Sequence, residues 1–376
     1  MIEFVEILNA DRVAIGVIDT AKSVIWHSLY YGVGDFEIYA QATKQNIDLL
    51  KKGYFVMRPN NEEVGIIEGV TVEFTLTDGY MITAIGRFAK ILLDRRIIYK
   101  LSGNSNSPTI LRGNVEIAVR QTVLDNAINC TFDSRRNISI LGLAALKGLS
   151  PVIVDENGNA TQKQVSYKNL MEYTDSVLEE YEMSANVIYN DSNKKLLYSV
   201  FMGTDRSTDN TAGNDPIVFS IEYDNLNSST YDLNDENYRN AALIGGEGEG
   251  LDRFYSLLRG QQSGLQLREM FVNASSIERT YKEEGSEEEH TYTDAEYAAM
   301  LNQQGNVELQ AHRVQETFSG EINATFGVWK YGQDYFLGDL VTVQDNLIGK
   351  YINTRITEVT EVQDENGYKV DVVFGE

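Results

Sequence analysis

The residues best able to move a proton near neutral pH are the three histidines, His27, His290 and His312. They are far apart in the chain, no His-Glu-x-x-His occurs, and no two stand four residues apart. Cys130 is the single cysteine, which excludes an internal disulfide and a cysteine-based zinc site. Residues 245–250 read GGEGEG. A phosphate-binding loop also needs a Lys-Ser/Thr pair, and the two glutamates here would repel phosphate. Glu247/Glu249 and Glu287-Glu288-Glu289 lack the spacing of a calcium loop, and Asp232-Leu233-Asn234-Asp235-Glu236 reads as a turn. Trp26, Tyr30, Tyr31 and Trp329 could form a sugar platform, but on alternating strands such residues belong to core or interface. No catalytic, metal-binding or cofactor-binding residue is therefore expected. Two alternatives stay open. A glycoside or peptidoglycan hydrolase would need two carboxylates about 5–9.5 Å apart across a cleft. A carbohydrate-binding adhesion module would need a glycan surface.

The elements around these residues are mostly strands. The chain has 376 residues, 42% of them hydrophobic, with 22 Tyr and only 4 Pro. That suits a globular, strand-rich protein with more than one core. A net charge of −24 argues against gripping a nucleic-acid backbone, which takes clustered Lys and Arg. The N-terminus has no basic and apolar leader, and no run approaches eighteen apolar residues, so folding in a reducing cytoplasm without a membrane anchor is expected.

Short alternating runs fill residues 1–87, and a first β-barrel domain is expected over 1–100. Residues 101–205 read as an α+β domain, with a helix over Ser166–Leu178 capped by Ser166. Residues 206–250 with 314–376 read as a second β-barrel, interrupted by a peripheral α/β insertion at 251–313. Within the insertion, 253–259 and 265–273 read as a strand pair. A helix starts at Thr293, has Glu296 in the capping-box position and stops at Gly305. Strands are expected again over 307–318 and 321–326.

Two segments echo each other. Gly53-Tyr54-Phe55-Val56 matches Gly338-Asp339-Leu340-Val341, and the strand from Ile67 matches the strand from Ile356. Asp78-Gly79-Tyr80 matches Asn366-Gly367-Tyr368, both read as type I′ turns, and Gly86 matches Gly375. A duplicated small barrel gives three copies six similar barrels, which lets a three-fold object meet a six-fold one.

Residues 239–248 (RNAALIGGEG), 268–274 (REMFVNA), the helix ending at 301–305 (LNQQG), 334–341 (DYFLGDLV) and the closing hairpin resemble, in order and spacing, the hub proteins of phage tails and contractile injection systems. That family includes VgrG-like proteins and a siphophage-type branch. The resemblance implies a β-rich α+β fold: two small antiparallel β-barrels forming a tube-like ring in a homotrimer, with peripheral α/β domains. It implies a non-enzymatic baseplate hub, in the virion tail or a phage-tail-like particle assembled in the host cytoplasm. The hub would join the tail tube or distal tail protein ring to a spike or fibre. Tape-measure protein and DNA would pass through the lumen without specific binding, helped by an acidic lining. Gly53, Tyr54, Tyr80, Gly86, Tyr335, Gly338, Asp339, Tyr368 and Phe374 are the expected subunit or tube interface. As the sequence ends after the second barrel, puncture and digestion are expected of other chains.

Overall fold

The computed structural model describes residues 2–59, 61–103, 105–155, 158–282, 288–323 and 327–375. Among them, thirteen strands form one sheet. The first seven are β1 (Val5–Leu8), β2 (Ala14–Ile18), β3 (Ala21–Leu29), β4 (Asp35–Gln41), β5 (Phe55–Met57), β6 (Gly65–Thr75) and β7 (Gly79–Phe88). Helix α1 (Lys44–Leu49) links β4 to β5. The rest are β8 (Val218–Phe219), β9 (Thr230–Asn234), β10 (Gln315–Ile322), β11 (Leu340–Asp345), β12 (Lys350–Asp364) and β13 (Gly367–Gly375). The order is β9-β10-β13-β12-β3-β4-β7-β6-β5-β1-β2, with β11 between β8 and β12.

The fold is thus the expected β-rich α+β class, with the two β modules joined edge to edge into one sheet. Their seam is the antiparallel pairing of β12 with β3. Period-two alternation decides the facing of each strand. In β3, Val24, Trp26 and Ser28 turn into the first core while Ser23, Ile25 and His27 turn away. The second core gathers Phe219, Phe318, Tyr335, Ile356, Val359 and Phe374.

Both hairpin turns differ from the expected type I′. Thr75 pairs with Gly79 around the three residues 76–78, with Gly79 at φ +73°. That is a three-residue loop closed by a left-handed glycine. Asp364 pairs with Gly367 around Glu365 and Asn366, so the second turn lies one residue earlier than expected, and Gly367 carries the positive φ (+116°).

The core next to the large sheet joins residues of 101–205 to Leu8, Phe55, Ile66 and the 89–98 segment. Helices α2 (Val115–Val123) and α3 (Leu170–Glu180) pack beside a sheet of Leu141–Leu143, Lys195–Phe201 and Ser184–Asn190. The cap of α3 is Asn169, whose Oδ1 accepts from the amides of Met171 (2.9 Å) and Glu172 (3.1 Å). Ser166 does not cap it, because residues 167 and 168 bond across to Ile98 and Tyr167 sits at φ +63°.

Ala241–Gly245, expected in the second barrel, is instead the central strand of a separate three-stranded sheet, antiparallel to Tyr255–Arg259 and parallel to Glu269–Asn273. The latter two strands therefore flank it and do not pair with each other as expected. Helix α4 (Asp294–Ala311) has the expected Thr293/Glu296 capping box but runs through Gly305. A Cβ there would stand 2.8 Å from Ile244 Cδ1, so this glycine lets the helix lie close on the strand. Residues 307–311 are accordingly helical, and the strand expected from 307 begins at Gln315. Of the strand expected over 321–326, β10 reaches Ile322, and residues 324–326 lie outside the described residues. No helix among the described residues is long and apolar enough to cross a membrane.

Candidate functional site

The two modules repeat one backbone device. Gly53, at φ +85°, donates its amide to the Ile67 carbonyl (2.8 Å), and Ile67 N donates to Tyr54 O (2.9 Å). Gly338, at φ +90°, donates to Ile356 O (2.9 Å), and Ile356 N donates to Asp339 O (2.9 Å). Directly after each isoleucine the strand bulges, between Ile67 and Gly69 and between Ile356 and Glu358. A bulge bends and twists its strand, so it changes which neighbour each half of the edge can meet. Aligned on the bulges, Ile67 faces Gly86 and Ile356 faces Phe374, so Gly86 corresponds to Phe374, one residue before the expected Gly375.

The two bulged strands differ in what lies beyond the bulge. In β12, residues 358–363 pair with β3, the residues from Glu358 facing those from Leu29. Among the described residues, nothing pairs with the corresponding edge of β6 at 69–75, and the outer edge of β9 is also open. Along the open edge of β6, Val70, Val72 and Phe74 are 38%, 48% and 56% exposed, beside Tyr80 at 59%. On β9, Leu233 is 58% exposed.

At the closed seam the counterpart of these apolar residues is an ion pair. Nη1 of Arg58 donates to Glu361 Oε1 at 3.0 Å, and Arg58 Nη2 also bonds Glu361 Oε2. The Tyr368 hydroxyl donates to the same carboxylate. The Arg58 guanidinium lies 5.2 Å from the centre of the Trp26 ring, whose indole is fully buried. Burial holds Arg58 below the usual guanidinium range. Nearby, Ser28 Oγ donates to Glu63 Oε2 at 2.5 Å, and burial pushes the Glu63 carboxyl up to about 7.

The sheet face opposite to Trp26 is acidic over β3, β4, β12, β13, β10 and β9, while toward β6, β5 and β1 the same face carries Ile66, Phe55 and Leu8 into the core around α2 and α3. His27 stands between Asp35 (3.3 Å) and Glu358 (3.4 Å) across the seam. By the strand registers Glu37, Asp371, Glu321 and Asp232 share this face, against Lys369 and Arg87. Burial, reinforced by Glu321, raises the Asp371 carboxyl above its usual range.

The residues expected at an interface scatter. Tyr80 is exposed and Tyr54 half-buried, whereas Tyr335 and Phe374 are sealed in the second core. Gly86 is a close-approach position, since its Cβ would stand 1.9 Å from Ile66 O. Gly338 abuts the Tyr30 ring, 2.2 Å from its own notional Cβ. Asp339 is buried and accepts from Thr204 N (2.8 Å), Phe336 N (3.0 Å) and Arg206 Nε (3.0 Å). Sequence reasoning did not single out Val70, Val72, Phe74 and Leu233 as exposed edge residues. Their alternation was readable, but not the vacancy of the strand edge beside them.

The chemical candidates have structural partners. His290 stacks on Tyr281, and His312 Nδ1 lies 2.8 Å from Glu308 O at the end of α4. The 245–250 turn is a packing joint: Tyr297 Oη meets Glu247 N at 2.7 Å, and Arg253 donates to the Gly245 and Gly246 carbonyls. Trp329 packs against the second core, and Glu287 lies outside the described residues. Among the described residues no cluster of His, Cys, Asp or Glu could hold a metal. A groove of about 230 Å³ between α3 and α4 is lined in part by Glu172, Glu179, Glu180 and Glu308. Of these, Glu180 accepts from Lys163 Nζ at 2.7 Å and Glu308 accepts from Gln304.

No curated protein matches the chain in sequence. Among solved structures, a tail protein from Neisseria meningitidis MC58 is similar at 13% identity and a TM-score of 0.58, covering 99% of this chain and 96% of that one. A 43 kDa tail protein of prophage MuSo2 from Shewanella oneidensis is similar at 11% identity and a TM-score of 0.54, covering 99% and 98%. These likenesses are of fold. The sequence itself, over residues 4–376, matches one family throughout, and the chain belongs to it: the Siphovirus ReqiPepy6 Gp37-like proteins.

Proposed function

We propose that this phage tail protein is the structural hub of the tail tip. It acts as a homotrimer whose six β modules ring a central channel. The observation that carries this reading is the repeated device of Gly53 with Ile67 and Gly338 with Ile356, each followed by a bulge. Two equivalent modules per chain give three chains the pseudo-six-fold face that a six-fold tail tube or distal tail ring needs, while three-fold symmetry is kept for a spike or fibre.

The acidic sheet face suits the channel wall. A wall carrying Asp35, Glu37, Glu358 and Asp371 repels DNA phosphates and gives tape-measure protein and genome little to adhere to. The role is mechanical, without catalysis, and assembly takes place in the host cytoplasm. The β modules, 1–100 and 206 to about 237 with 314–376, build the ring; 101–205 and the insertion lie outside it. The insertion begins near residue 238, ahead of the Ala241–Gly245 strand that pairs within it. Of the interface residues expected from sequence, Tyr80 is the one we keep at the subunit joint.

Electron microscopy of particles carrying a tagged copy tests the reading. Label at the tail tip, distal to the tube, is the expected result; label along the tube or at the capsid vertex contradicts it.

A further inference from the structure

We propose that the open 69–73 edge of β6 takes strand β9 of a second copy of this chain, antiparallel, with Val72 opposite Tyr231. This rests on the hub reading and specifies how its subunits join.

The register follows from the seam inside one chain. There β12, beyond its bulge, pairs with β3, with Glu361 opposite Trp26 and Thr360 opposite His27. Counted from the bulges, Gly69 corresponds to Glu358, so Val72 corresponds to Glu361 and Thr71 to Thr360. The counterpart of β3 is β9. Trp26 pairs with Phe36, which pairs with Gly86; Tyr231 pairs with Phe318, which pairs with Phe374. Gly86 and Phe374 are the residues facing the two bulge isoleucines, so Tyr231 corresponds to Trp26. Carrying the seam over sets Val70 against Leu233, Thr71 against Asp232 and Val72 against Tyr231.

Side-chain chemistry agrees with that register, which was obtained without it. Val70 and Val72 point to the core face and are exposed in the single chain, and the residues brought opposite them are Leu233 and Tyr231 on the same face. A one-residue slip would turn Val70 and Val72 toward Asp232 and Thr230. Where the internal seam has Glu361 it also has Arg58 to neutralise it; at the open edge Val72 replaces the carboxylate, so no cation is needed. The contact is head to tail, each copy giving β9 to one neighbour and β6 to the other, so it propagates until a ring closes. It also covers two strand edges that would otherwise invite aggregation.

Two single-cysteine variants, Thr71→Cys and Asp232→Cys, test the joint when mixed and oxidised with diamide. Opposed strand residues lie within disulfide reach, and a partner two residues off does not. Cys130 is buried and common to all samples. The expected result is a disulfide-linked dimer from the mixture, roughly tenfold above either variant alone and above a Thr71→Cys with Thr230→Cys mixture. A trimer by mass that gives no Thr71–Asp232 cross-link overturns this joint and leaves the hub standing. Absence of both trimer and cross-link, in solution and in the isolated tail tip alike, overturns both.

Discussion

Arg58 and Glu361, one from each β module, form a two-pronged ion pair sealed at the seam between them, with 6% and 4% of their side chains exposed. Nothing local in the sequence joins them. The pair exists because β3 completes the edge of β12 and brings the two cores together over Trp26.

Removing one partner should therefore cost much more than the pair is worth. Arg58→Ala leaves a buried carboxylate and is expected to destabilise the chain by about 3–5 kcal/mol in urea unfolding. The double variant Arg58→Met, Glu361→Leu keeps the volume without stranding a charge, and is expected to be at least about 2 kcal/mol more stable than Arg58→Ala. Equal losses would show that the seam does not depend on charge pairing.

The two repeated glycines separate strain from space. Both have positive φ, but a Cβ on Gly53 meets nothing within 4 Å, while one on Gly338 would strike the Tyr30 ring. Gly53→Ala should cost about 1 kcal/mol from backbone strain alone. Gly338→Ala should cost about 3 kcal/mol or more, since the ring must also move. Thermal melts of the two variants check the order, and the reverse order would contradict the duplication's geometry.

Glu63 gives a pH signature. Its carboxyl is pushed from 4.5 up to about 7 by burial, against the opposing pull of Ser28, Lys90, Arg58 and His27. The folded chain then holds a proton the unfolded chain has released, so stability is fully present below about pH 4.5 and falls as pH rises to about 7. Glu63→Gln removes that dependence. It should be about 3 kcal/mol more stable than the parent at pH 8, with the gain shrinking toward zero near pH 4.5. A gain independent of pH would assign the effect to packing instead.

The strand runs, the α+β middle region, the Thr293/Glu296 cap and the twin glycine-led hairpins were legible in the chain because they depend on local pattern and turn chemistry. Pattern failed where tertiary contact decides. Gly305 reads as a helix stop yet continues α4, because Ile244 lies where a side chain would go. Ser166 reads as a cap yet is displaced by strand-like bonds to Ile98. The open strand edge was hidden from pattern for a related reason. Val70, Val72 and Phe74 have the same alternation as buried strands, and only the fold reveals that no neighbour among the described residues covers them.

The groove between α3 and α4 is lined by four glutamates of the kind the hydrolase alternative needs. Two of them, Glu180 and Glu308, are already engaged by Lys163 and Gln304. A cell-wall zymogram of the purified chain is expected to stay uncleared, and a cleared band would make this chain an enzyme.

The central claim is that copies of this chain close a three-fold ring. Sedimentation equilibrium across a wide concentration range measures it most directly. The account predicts a species of three times 42.3 kDa that gains population with concentration. A chain that remains at 42.3 kDa at every concentration, and also within the isolated tail tip, would contradict it.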